Sequence, residues 1–335
     1  MSGPAFAMST WKKLAAELTV PLLAALALAA AFLAFVAWDQ SHWWRVKEDY
    51  SFGWLVPAFV AFVVYDRWPR IVAAVQACAA VGSPRAAGAA KWLLNLIAGA
   101  ALAGGVVMFL LGAFYRAGAG TSQPGTLALT LGAVSIGLAL IFLNAPAAES
   151  PQRAAPWADA RVKLTALLLF PVLVWLVSAP LVSALESQLN LFLLGKVVTV
   201  VSFVFDLLGL PIEQQGNVLA LPTGSVGVED ACSGIRSLTA CLFAGSFLAA
   251  VFLDRLWKKI ALVGAALGLA FCTNLLRGLF LTGWAYRHGP ASIDGAVHDI
   301  AGYAVLGLTV VGLLGLLPLF NLSLADEEET KPTAG

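Results

Sequence analysis

The sequence predicts an all-α, polytopic membrane protein, a helical bundle of about eight transmembrane helices with one further amphipathic helix on the outer face. Three observations lead there. Of the 335 residues, 60% are hydrophobic and 12% charged, about half the charged fraction of an average soluble domain. Mean hydropathy is +0.86. Apolar runs long enough to span a bilayer recur along the chain and are separated by short polar connections. A net charge of +1 gives no basis for nucleic-acid binding. The partner that composition demands is the lipid bilayer.

The elements follow in order. Residues 1–17 read as a cytoplasmic N-terminus. The first apolar run, 18–37, is too long for the apolar core of a signal peptide and reads as a retained span. The second, 53–65, is short and contains Pro57; its helix is expected to begin near Tyr50. A connection over 66–91, with a small amphipathic helix around Ile71–Val81, leads to spans at 92–115, 125–145 and 163–184. Three more lie at 236–253, 260–284 and 299–320. Residues 18–320 thus form one membrane domain, and 321–335, with Asp326-Glu327-Glu328-Glu329, form an acidic tail whose composition predicts disorder.

Basic residues set the direction. Lys12 and Lys13 precede the first span. Arg67, Arg70, Arg85 and Lys91 follow the second; Arg153, Arg161 and Lys163 follow the fourth; Arg255, Lys258 and Lys259 follow 236–253. The positive-inside rule makes these regions cytoplasmic. Trp43, Trp44 and Trp54, in the first outer connection, suit an interfacial aromatic belt. The parity holds only if 189–210 does not cross. Asn190, Lys196 and Asp206 in that segment are costly at mid-bilayer, so it is expected to lie on the outer face as an amphipathic or re-entrant helix.

This topology brings an unusual set of polar residues to one rim. The stretch Glu229-Asp230-Ala231-Cys232-Ser233-Gly234-Ile235-Arg236 precedes the span at 236–253, Arg277 lies about 10 Å below the outer end of the next, and His298 opens the last. Such a trio suits thiol acyl transfer. A cysteine at a helix N-terminus, near a cation, is biased toward thiolate. Arg277 is an embedded charge that needs a partner or water, and its guanidinium can hold an oxyanion. His298 fits either a helix cap or the base that takes and returns the proton. Gly234 leaves the backbone open to a substrate and Ser233 is a candidate cap. Glu229 and Asp230 read either as solvated loop acids or as orienters of Arg236, Arg277 or His298. Asn274, three residues before Arg277, shares its helix face. Asp299 is adjacent to His298, and adjacent helical residues point apart. Cys78, Cys241 and Cys272 read as small apolar fillers. No CxxC pair and no metal-site spacing joins the four cysteines to the three histidines, so no metal or cofactor is expected.

In order, Gly216-Asn217-Val218-Leu219-Ala220-Leu221-Pro222, EDACSGIRSL, Asn274-Leu275-Leu276-Arg277 and His298-Asp299-Ile300-Ala301-Gly302 resemble the exosortase/archaeosortase family of membrane cysteine transpeptidases. The stretch Tyr50-Ser51-Phe52-Gly53-Trp54-Leu55-Val56-Pro57 is similar to the family's YSHG-x-L-x-P, with Phe52 where many members have histidine. The resemblance covers about 40–320. It implies a bacterial plasma-membrane enzyme with a catalytic Cys232, Arg277 and His298 on the extracytoplasmic side. It also implies as substrates secreted proteins ending in a sorting signal: a short motif such as Pro-Glu-Pro, a hydrophobic helix and a basic tail. The acceptor is then water, or an amine or hydroxyl on a lipid or exopolysaccharide. The same polar cluster also fits a membrane acyltransferase or glycan-assembly enzyme. A transporter fits less well, since the sequence shows no internal repeat.

Overall fold

The computed structural model describes residues 18–227, 234–253 and 255–322. Among them are nine α-helices: α1 Val20–Val46, α2 Val56–Ala79, α3 Ala89–Ala119, α4 Gln123–Leu143, α5 Ala160–Val177, α6 Ser183–Leu207, α7 Gly234–Phe252, α8 Leu256–His288 and α9 Ala296–Leu322. Eight of them are long and apolar enough to cross a membrane, so the chain is a multi-pass membrane protein. The expected 1–17 segment and the acidic cluster at 326–329 lie outside the described residues.

The count of eight agrees with the sequence, but its membership differs. Helix α6 qualifies, with a mean hydropathy of 1.8 over its most apolar window. Its buried stripe, Leu194, Val197, Val198, Val201 and Phe205, is wholly apolar. Lys196 is displaced from that stripe, its ammonium 5.5 Å from the Phe192 ring centroid. The polar residues that argued against a crossing therefore do not interrupt the packed face. Helix α2 does not qualify. Instead of a short span followed by a separate amphipathic helix at 71–81, one continuous helix carries a single buried stripe of Val56, Val63, Arg67, Ile71, Val75 and Cys78. Arg67 is tolerated there because its guanidinium donates to the Leu167 carbonyl at 2.8 Å.

The chain forms two compact units: Met1–Lys47 with Ser51–Leu181, and Glu48–Tyr50 with Val182–Gly335. In the first, α4 is central and packs on α1, α3 and α5. Helices α3 and α4 touch through glycines. A Cβ on Gly132 would lie 2.5 Å from the Phe109 amide nitrogen, and one on Gly112 2.8 Å from that of Leu129. Close backbone approach of this kind is how membrane helices gain packing where burial of apolar area gives none. A polar network stitches α1 to its neighbours. Asp39, 1% exposed, pairs with Arg116 and accepts from the Thr126 hydroxyl. Gln40 donates to Thr130 and to the Trp175 carbonyl and accepts from Ser178. Two of the expected belt tryptophans belong to this network: Trp43 donates to Thr126, and buried Trp44 to the Ser178 carbonyl. Only Trp54, 52% exposed, keeps the surface position expected of all three. Trp44 also accounts for Gly53 in the YSFG stretch, because a Cβ there would fall 2.1 Å from the indole nitrogen.

In the second unit, α8 is central, between α6, α7 and α9. A three-stranded antiparallel sheet, β3 Glu213–Gln215, β4 Val218–Leu221 and β5 Gly224–Gly227, follows α6 (β1 Pro84–Ala86 and β2 Gln152–Ala154 form a parallel pair in the first unit). The sheet explains the GNVLALP motif. Gly216 takes a φ of 63° at the β3–β4 turn, a conformation open to glycine at little cost. Alternate residues Leu219 and Leu221 then point into a core with Val198, Val226, Leu281 and Ile293. Thr223 donates to the Ala285 carbonyl and ties the β4–β5 turn to α8.

Candidate functional site

Antiparallel α8 and α9 are joined at three levels. Near the α8 N-terminus, the Lys258 ammonium donates to the Phe320 carbonyl at 2.7 Å. In the middle, the buried Thr273 and Thr309 hydroxyls are 3.0 Å apart, and Gly312 admits Leu269, whose Cδ2 would be 2.6 Å from an added Cβ. At the third level Arg277 Nη2 is 2.9 Å from His298 Nε2. Two residues separated by 21 positions are thus brought into hydrogen-bond contact by the helix pair.

The contact fixes a tautomer. Guanidinium only donates, so Nε2 accepts and the imidazole proton sits on Nδ1. That nitrogen is 3.4 Å from Asp299 Oδ1, at the outer limit of a hydrogen bond. Adjacency on a helix argued against this contact; the first turn of α9, where both residues sit, leaves the exposed carboxylate room to turn back. Arg277 Nε is buried with no hydrogen-bond partner among the described residues. Gly302, one turn beyond His298, faces the guanidinium, and a Cβ there would be 3.7 Å from Nη2.

Arg277 and His298 line a cavity of about 350 Å³ whose other walls come from α7 and α9. The first turn of α7 contributes Arg236 and Ser237, its next turn Ala240 and Cys241, and α9 contributes Tyr303 and Thr309. The cavity thus runs from a charged rim down to small and apolar side chains. Arg236 is held at that rim by Glu48, by Asp49 at 3.5 Å, and through Thr239, whose hydroxyl donates to the Asp49 carbonyl at 2.9 Å. Glu48 and Asp49 are site-supporting residues that sequence reasoning missed. The only available signal was their place just before the YSFG stretch. Cys241, read as a filler, is buried but also lines the cavity. Asn274 is buried on α8 and does not line it.

Cys232, Glu229, Asp230 and Ser233 lie outside the described residues; Gly234 opens α7. No cluster of three His, Cys, Asp or Glu side chains that could hold a metal occurs among the described residues.

A family model described as transmembrane exosortase matches residues 43–315. The chain belongs to the transmembrane exosortase family. No curated protein and no solved structure gives a significant match. Exosortases are transmembrane enzymes, and the match runs from the tryptophans of α1 to the last turns of α9. Both the Arg277–His298 pair and the EDACSGIRSL stretch fall inside it.

Proposed function

We propose that this exosortase is a cysteine protease or transpeptidase that cleaves a C-terminal sorting signal from secreted proteins at the extracytoplasmic face of a bacterial plasma membrane. The observation that carries the reading is the 2.9 Å contact between Arg277 and His298 on the wall of a cavity that starts at the first turn of α7. Cys232 precedes that helix by two residues, and a helix N-terminus favours a thiolate.

In this mechanism the Cys232 thiol gives its proton to His298 Nε2, whose lone pair Arg277 holds in the resting geometry. The sulfur attacks the scissile carbonyl carbon, and the Arg277 guanidinium donates to the developing oxyanion. Collapse breaks the C–N bond. His298 returns its proton to the leaving amine, and the signal helix departs. An acceptor, deprotonated by the same imidazole, then attacks the thioester on Cys232; the C–S bond breaks and the proton on His298 returns to the thiolate. Water yields a released protein; an amine or hydroxyl of a lipid or exopolysaccharide yields an anchored one.

A reporter carrying a candidate signal, co-expressed with the wild type or with Cys232→Ala, tests this by gel and mass spectrometry. Loss of the tail with the wild type alone is expected, and the product mass identifies the acceptor. Equal processing by both proteins would remove the cysteine from the chemistry. Turnover of a lipid or glycan without any protein cleavage would favour an acyltransferase instead.

A further inference from the structure

We infer that the first unit binds an anionic phospholipid, its headgroup in a basic basin and its chain in an apolar furrow that continues from it. The basin, about 480 Å³, is lined by Arg85, Lys91, Arg153 and Arg161 and, among the described residues, by no acidic side chain. These cations come from three separate stretches, around β1 and the start of α3, around β2, and at the start of α5. Asp159 sits behind them, fully buried, and pairs with Arg85 at 3.6 Å and Arg161 at 2.9 Å. Two guanidinium groups are thus fixed in place. The side chains of Lys91 and Arg153 are exposed and carry no ion pair or hydrogen bond among the described residues. Two fixed and two uncommitted cations around a cavity favour a multiply accepting anion such as phosphate.

The furrow, about 300 Å³ and almost wholly apolar, lies one turn further along the same three helices. Leu94 and Ile97 follow Lys91 on α3, Phe142 and Leu138 run back from Leu143 on α4, and Ala166 and Leu169 follow Arg161 on α5. One contact joins the two cavities: the Arg161 guanidinium lies 4.5 Å over the Phe142 ring centroid. Trp92 and Trp157, 68% and 78% exposed at the same helix ends, are the side chains expected at a headgroup layer. A charged cavity at that level, opening onto an apolar one beneath it, matches the two ends of one lipid. A choline headgroup brings its own cation and is disfavoured beside four more.

The full chain, purified in mild detergent, would be examined by native mass spectrometry with equal amounts of phosphatidylglycerol and phosphatidylcholine. One phosphatidylglycerol is expected to be retained in preference. Basic residues at a membrane surface contribute roughly a fivefold factor each. Lys91→Gln with Arg153→Gln is therefore expected to weaken retention about 25-fold, with thermal unfolding unchanged because neither side chain has a partner to lose among the described residues. Ala166→Trp fills the furrow without touching the basin and is expected to weaken retention as well. Equal retention of both lipids, or indifference to the double variant, would overturn the site. Displacement by millimolar inorganic phosphate, together with indifference to Ala166→Trp, would reduce it to a phosphate site and overturn the lipid assignment.

Discussion

Arg277 gives one nitrogen to His298, and its Nε is buried with no partner among the described residues. A buried donor left without an acceptor costs about 1–3 kcal/mol, so this position adds little to stability. Arg277→Lys keeps the charge but loses the fork. We expect kcat for reporter cleavage to fall about 10²- to 10³-fold while the melting temperature in detergent holds or rises; a large drop in melting temperature with activity retained would recast Arg277 as a structural residue. Asp299 should matter far less. Its contact with Nδ1 is long and exposed, and Asp299→Asn is predicted to change kcat by less than about threefold, the scale of a weak exposed pair. That Arg277 would meet a polar partner was legible because arginine within an apolar helix is costly wherever it occurs. Glu48 and Asp49 were not legible, since nothing local to a pair of loop acids says which distant arginine they meet.

At the scale of elements, glycine decides how closely helices approach. Gly132 faces the backbone of Phe109, which cannot move aside, whereas nothing lies within 4 Å of a Cβ on Gly104. Gly132→Ala is predicted to lower stability by about 1–3 kcal/mol through overpacking, and Gly104→Ala to leave it unchanged or raise it by up to about 1 kcal/mol; the paired melting curves in detergent check both. Asp159 caps α5 by accepting from the Arg161 amide and also accepts from the Ala86 amide. Burial pushes its carboxyl up, but hydrogen bonds from the Arg161 side chain and from these two amides outweigh it and hold the group below its ordinary range. A depressed folded-state value means stabilisation that is full above the unfolded value, about 4, and is lost as pH falls through the folded one. Asp159→Asn should therefore cost stability at neutral pH and flatten the acid limb below about pH 4. An unaltered acid limb would show that other carboxylates govern it. Hydropathy located α3, α4, α8 and α9 in the sequence because long apolar runs leave few alternatives. It left α2 and α6 open: most of 53–65 belongs to one longer helix, Val56–Ala79, and charge parity and polar residues, rather than hydropathy, set 189–210 aside. The short sheet at 213–227 went unseen as well, because four-residue strands carry almost no periodic signal.

For the whole molecule, length and apolarity put α6, and not α2, among the eight candidate crossings. Topology reporters fused after residues 181 and 211 are expected to report opposite sides of the membrane; the same side for both would return α6 to the surface, where charge parity and its polar residues had put it. The central claim of the proposed mechanism is an acyl group carried by Cys232. The most direct measurement is to mix the purified exosortase with a cleavable substrate, quench in acid, and map the adduct by peptide mass spectrometry. A hydroxylamine-sensitive thioester is expected on the peptide containing Cys232, absent in Cys232→Ala and accumulating when the acceptor is withheld. Cleavage that proceeds at the same rate in Cys232→Ala, with no adduct on that peptide, would contradict it.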